Sequence, residues 1–174
     1  MVLPPLIVTA LLPADLHRWA TALRTQHFPP ERNYLEAHVT LFHALPPSSE
    51  REVRAALAGE ASALAPVQAR LSGLISLGRG TALRIESPAM LSLRDRLAER
   101  FHGILTPQDS HRPRLHVTIQ NKVTPAEART LKEQLEPVIE PRAFAFRGLG
   151  LHLYRGGPWE AAGEFPFRGK GQGA

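Results

Sequence analysis

The residues of this chain best suited to chemistry come as one short pattern used twice, His38-Val39-Thr40-Leu41 and His116-Val117-Thr118-Ile119. In an extended strand, side chains alternate between faces, and residues two apart share a face at a spacing of about 6–7 Å. Each copy therefore shows an imidazole and a hydroxyl to one side. Val39 and Leu41, or Val117 and Ile119, go into the core on the other. Two such strands beside one cleft would gather two histidines and two threonines around a shared point. A histidine can take or give a proton near neutral pH. Acid–base chemistry on a phosphate needs both acts, one group taking a proton and the other giving one. Threonine hydroxyls can donate to the non-bridging oxygens as charge builds there.

Chance accounts for one His-x-Thr but poorly for two. With eight His and nine Thr in 174 residues, about 0.4 such pairs are expected. The flanks decide the matter. At the same offset of 78 (116 − 38), Pro47 matches Pro125, Arg51 matches Arg129 and Leu57 matches Leu135, and further on Leu71 matches Leu149 and Gly78 matches Gly156. A gapless match over some 40 residues marks an internal repeat.

The elements that must position these residues follow from periodicity. An apolar run over 6–12 reads as a buried first strand, and Pro13 opens a helix with Leu16, Trp19, Ala20 and Leu23 on one face. A loop over 27–35 leads to the first motif strand, 36–44. Ser49-x-x-Glu52 then reads as a capping box. Its helix carries Val53, Ala56, Leu57 and Leu64, and alternation over 67–75 gives another strand. After the turn Gly78-Arg79-Gly80 the order replays. There is a strand over 81–86, then a helix started by Ser87-Pro88 with Met90, Leu93, Leu97 and Phe101 inward. A loop over 106–114 leads to the second motif strand, 115–122. Thr124-Pro125-x-Glu127 caps the next helix, 144–154 reads as one strand, and a last strand lies at about 160–168, with a Gly-rich tail expected to fray after Arg168. The fold class is α+β. One bilobal domain spans 1–174, with repeats over about 5–77 and 81–155. Mostly antiparallel sheets face a central cleft, with helices outside.

The whole-chain properties narrow the function. The net charge is +5, and nearly all of the 21 basic residues are Arg, whose planar fork suits phosphate. An anionic partner such as RNA or a nucleotide fits that balance, although Arg richness can also reflect genome composition. With no cysteine there is no disulfide frame, thiolate metal site or Cys nucleophile. No apolar run is long enough to span a bilayer, and Pro4 and Pro5 with no basic flank argue against a signal peptide. A cytoplasmic monomer with no membrane partner is expected by default.

Paired His-x-Thr strands about 80 residues apart in a duplicated α+β chain resemble the 2H phosphoesterase superfamily, in its 2′-5′ RNA ligase-like branch. The resemblance covers nearly the whole chain. It rests on the two motifs and on the ending Leu153-Tyr154-Arg155-Gly156-Gly157-Pro158-Trp159 with Phe165-Pro166-Phe167. It implies two lobes around a cleft and no metal or other cofactor. It also implies hydrolysis or transesterification of 2′,3′-cyclic or 2′-5′ phosphodiesters, with His38, Thr40, His116 and Thr118 as the active residues and RNA ends or a cyclic nucleotide as partners. The chain departs from that pattern where relatives often carry an Arg after each motif: here stand Phe42-His43 and Gln120-Asn121-Lys122. Strand parity puts Phe42 and Lys122 on the motif face, where Phe42 would stack on a base and Lys122 would meet phosphate. The plain alternatives are a core Phe and a solvated Lys. His43 falls to the rear, and His27, His102, His111 and His152 have no matched partner.

Arg112 and Arg114, in the loop entering the second motif, are expected to hold phosphate or RNA backbone. Two residues before the histidines stand Glu36 and Arg114, which would bias His38 toward its protonated form and His116 toward the neutral one. His38 would then be the general acid and His116 the base. The leading expectation is a metal-independent cyclic phosphodiesterase. Reversible 2′-5′ joining of RNA ends and a non-catalytic RNA-binding module stay open beside it. A metalloenzyme is disfavoured, since no carboxylate or third His has matching spacing.

Overall fold

Leu6, Ile7 and Val8 form the start of β1 (Leu6–Leu11), which lies inside a sheet because five of its six residues are buried. The computed structural model describes residues 3–170. β2 (Val39–Leu45), β7 (Gly148–Tyr154) and β8 (Trp159–Pro166) complete a first sheet in the order β2-β1-β7-β8. A second sheet has the order β5-β4-β3-β6, built from β5 (His116–Gln120), β4 (Thr81–Glu86), β3 (Val67–Ser76) and β6 (Arg142–Phe146). Every pairing is antiparallel. With four α-helices among the described residues, this is the α+β fold of two similar sheets expected from the repeat. The sheets do not divide where the two sequence copies meet. β3 pairs with β4 across the turn, and β7 returns to lie beside β1. Each sheet thus draws strands from both halves of the chain, and each motif strand is an edge strand.

The stretch 144–154 is two strands rather than one. The apolar positions change phase there, from Phe144 and Phe146 to Leu149, Leu151 and Leu153; at Arg147 the chain leaves one sheet for the other, and the Arg147 N–H donates to the Leu11 carbonyl. Gly148 permits the crossing, since a Cβ there would lie 2.6 Å from the Phe165 carbonyl oxygen.

The helices α1 (Ala14–His27), α2 (Glu50–Ala63), α3 (Pro88–Arg100) and α4 (Pro125–Leu135) pack on the sheets. α1 runs along β5 and buries Leu16, Ala20 and Arg24, while Trp19, assigned to the apolar face by spacing, is 37% exposed. Ser87 accepts from the Met90 N–H and Thr124 from the Glu127 N–H, as their positions before α3 and α4 require. The capping box expected at Ser49 does not form. A 3-10 turn over Pro47–Ser49 leaves Ser49 at φ −97, ψ 10 instead of extended, and its side chain makes no cap bond. At the end of the chain Gly169 is not frayed: its N–H donates to the Leu64 carbonyl, and residues 171–174 lie outside those described. No helix among the described residues is long and apolar enough to cross a membrane.

Candidate active site

β2 and β5 are the edges at which the two sheets come together. Val39, Leu41, Val117 and Ile119 are at most 1% exposed, so His38, Thr40, His116 and Thr118 point the other way, half-buried, as strand alternation requires. The two imidazoles are anchored alike. His38 Nδ1 lies 2.8 Å from the Glu36 carbonyl oxygen, and His116 Nδ1 lies 2.7 Å from that of Arg114. A carbonyl only accepts, so each Nδ1 carries the proton and each Nε2 is left to meet a substrate. One Nε2 can accept a proton while the other, if charged, donates one.

The electrostatics of His38 differ from the sequence expectation. The Glu36 carboxylate does not flank it, because β2 begins only at Val39 and strand parity does not reach back to residue 36. That carboxylate turns to His17 Nε2 at 3.4 Å and is 76% exposed. Burial pushes the His38 pKa down to about 4. The Glu36 carbonyl opposes this, and the charges of Arg24, His152 and His116 add to it. His38 is therefore held neutral, which reverses the bias expected from Glu36.

Edge strands leave backbone groups unpaired, and here two buried arginines take up some of them. Arg24, on α1, donates to the Thr118 carbonyl at 3.0 Å and to Asn33 Oδ1 at 3.1 Å, over the Phe28 ring. Arg94, on α3, donates to the Leu41 carbonyl at 3.2 Å and also to the Asp109 carbonyl. Each arginine is 3% exposed, and each reaches from the helix of one repeat to the motif strand of the other. Burial lowers the Arg24 pKa to about 10, which leaves it charged at neutral pH. No sequence signal marks either residue, since an Arg on an otherwise apolar helix face reads as a boundary position.

A cavity of about 600 Å³ opens beside His38 and is lined also by Thr9, His17, Arg18, His152 and Trp159. The Trp159 ring lies 4.5 Å from the His38 ring and 5.4 Å from that of His152, whose Nε2 is 3.1 Å from Thr9 Oγ1. Thr9 and His152, unmatched in the repeat, line this cavity beside His38, a placement that spacing missed. They meet because β1 and β7 are neighbours, 143 residues apart in sequence at this pair.

A second cavity, about 400 Å³, is lined by Thr40, His43, Arg112, Arg114 and His116. The structure thus brings Arg112 and Arg114 to His116, although Arg112 is paired with Asp95 at 3.1 Å. Phe42 is not in the cleft. Register shifts along β1–β2 put Leu41 and Phe42 both inward, so Phe42 is fully buried, edge-on to Phe101 and under Arg94. The same shifts turn His43 out into the cavity rather than to the rear. Lys122 is also displaced. β5 ends at Gln120, the backbone at Lys122 turns to φ 66, and its side chain lines a separate hollow with Thr25, Arg79 and Thr124. Among the described residues no group of three or more His, Asp or Glu is placed to hold a metal ion.

Solved structures share this architecture. The Thermus thermophilus protein TT0787 superposes with a TM-score of 0.65 at 18% identity, over 96% of this chain and 100% of that one. Escherichia coli LigT, solved with 3′-AMP, gives 0.64 at 17% identity, over 95% and 98%. A structure described as a phosphoesterase gives 0.60 at 19%, also over 95% and 98%. No curated protein matches the sequence. The family pattern of the 2′-5′ RNA ligase superfamily matches residues 12–158, a span that holds both motif strands and the arginines bracing them. On that match the chain belongs to the 2′-5′ RNA ligase superfamily.

Proposed function

We propose that the protein is a phosphodiesterase that needs no metal and opens 2′,3′-cyclic phosphate ends of RNA or cyclic nucleotides by two-histidine acid–base catalysis. The observation that supports this reading is the matched anchoring of His38 and His116 through Nδ1, which leaves the Nε2 atom of each for a substrate. Water attacks phosphorus in line with the departing ribose oxygen. His38, neutral before substrate arrives, takes the proton of the attacking water through Nε2. His116 gives a proton to the leaving oxygen, and the Thr40 and Thr118 hydroxyls donate to the non-bridging oxygens. Trp159 offers an aromatic wall beside His38 for a base or ribose. The ligands of LigT in solved complexes, 3′-AMP, ATP and NADP+, support a nucleotide as the class of ligand.

Purified protein incubated with 2′,3′-cyclic nucleotides and cyclic-phosphate RNA in EDTA tests the proposal. The expected result is turnover that EDTA spares and that His38→Ala and His116→Ala each abolish. No turnover on any of these substrates refutes it. RNA binding with a steep salt dependence that both variants retain, without turnover, would mark a binding module instead.

A further inference from the structure

We propose that the cavity walled by the loop before β5 is a second phosphate site, with His43 Nε2 and the Arg114 guanidinium as its ligands. The preferred substrate then carries a phosphate besides the one that reacts. The inference rests on the phosphodiesterase reading only for the identity of the first phosphate.

His43 is built into this cavity with more care than a surface histidine needs. Asp109, 1% exposed, comes from the loop of the second repeat to the motif strand of the first. It accepts from the His43 N–H at 2.8 Å, the Ala44 N–H at 2.9 Å and His43 Nδ1 at 3.1 Å. Burial alone would raise the Asp109 pKa, but the bonds from His43 and Ala44 outweigh it and hold the carboxylate ionised. Its oxygens are thereby occupied. The ring is locked by its Nδ1–H, and the atom it shows to the cavity is Nε2. The side chain is 41% exposed and shares the cavity with Thr40 and His116, so a group bound there lies next to the reacting phosphate.

The charge around the cavity selects an anion. Arg94, Arg112 and Arg114 line it together with His43, His111 and His116, and Asp109 is the lone carboxylate among its lining residues. Arg94 is committed to two carbonyls and Arg112 to Asp95. Arg114 anchors His116 through its carbonyl, and its exposed guanidinium extends from that fixed backbone. Binding of a tetrahedral dianion brings a second proton to His43 at Nε2, and the anion then takes donors from that imidazolium and a guanidinium fork together. That phosphate can be the 5′-phosphate of a mononucleotide or the next phosphodiester of an RNA strand, and the two are separable by experiment.

Calorimetric titration of the intact protein reads the site without requiring turnover. The probes are adenosine 2′-monophosphate, adenosine 2′,5′-bisphosphate and a diadenylate ending in a 2′-phosphate. The expected result is that one or both of the longer probes binds about tenfold or more tightly than the monophosphate. That advantage should collapse in both His43→Ala and Arg114→Gln. His43→Ala keeps the two backbone bonds to Asp109, and Arg114→Gln alters an exposed side chain, so at least one variant reports on a folded protein. A gain limited to the bisphosphate assigns a terminal phosphate, and a gain limited to the diadenylate assigns a strand phosphodiester. Equal binding of all three probes, or an advantage that survives both variants, overturns the proposal. Binding of this kind without cyclic-phosphate turnover would uphold the site and refute the phosphodiesterase reading; turnover without it would do the reverse.

Discussion

The neutral state of His38 can be tested without a substrate, through stability. An unperturbed histidine titrates at about 6.5, and burial brings His38 in the folded protein to about 4. Above pH 6.5 neither state binds the proton and the site costs nothing. As pH falls through 6.5, the unfolded chain takes up a proton that the folded site refuses, so stability drops. The loss continues until the folded site itself titrates near 4. At pH 4.5 the linkage relation gives about 2–3 kcal/mol relative to neutral pH. His38→Gln removes this contribution, while every other titrating group, including the half-buried His152, stays common to both proteins. Urea unfolding at pH 7.5 and pH 4.5 reads the difference. Between those two values the wild type should lose about 2–3 kcal/mol more than the variant, which is about 1 M in urea midpoint for a domain of this size. Parallel losses would show that His38 is not held neutral, and would remove the ground for making it the base. A larger loss in the variant would restore the acid role that Glu36 had suggested.

Further outcomes follow from the same geometry. Thr40→Val and Thr118→Val remove a donor but keep the side-chain shape, and each should lower kcat by about 10²–10³ in steady-state kinetics. An activated nitrophenyl ester needs little protonation to depart, so it should rescue His116→Ala and not His38→Ala; the opposite pattern exchanges the roles of the two histidines. Phe42→Ala should cost about 3–5 kcal/mol in chemical denaturation, as expected for a fully buried ring. A raised KM with unchanged stability would return Phe42 to the cleft. Gly150→Ala would place a Cβ 2.6 Å from Thr9 Oγ1 and 3.1 Å from His152 Nε2. It should destabilise by about 1–3 kcal/mol and weaken substrate binding beside Trp159, read as a melting shift together with a higher KM.

The sequence by itself settled what short-range physics controls. The alternation around His38 and His116 placed both imidazoles and both hydroxyls opposite a buried apolar face, because the pleat of a strand has a period of two whatever it pairs with. The β4 strand, Ser87 before α3 and Thr124 before α4 were equally legible, since caps and turns act within four residues. Parity failed where pairing intervened. The register shifts against β1 turned Phe42 into the core and His43 into a cavity, and the end of β5 at Gln120 took Lys122 elsewhere. The strand exchange at Arg147 shows in the sequence only as a change of phase, from Phe144 and Phe146 to Leu149 and Leu151, which a bulge within one strand would also produce. Only the tertiary structure decided that Arg24 and Arg94 brace the opposite motif strands, that Asp109 orients His43, and that Thr9, His152 and Trp159 surround His38. Each of these contacts joins residues that strand order, not chain order, makes neighbours. The low pKa of His38 belongs with them, because burial is a property of everything packed around a ring rather than of the residues beside it in the chain.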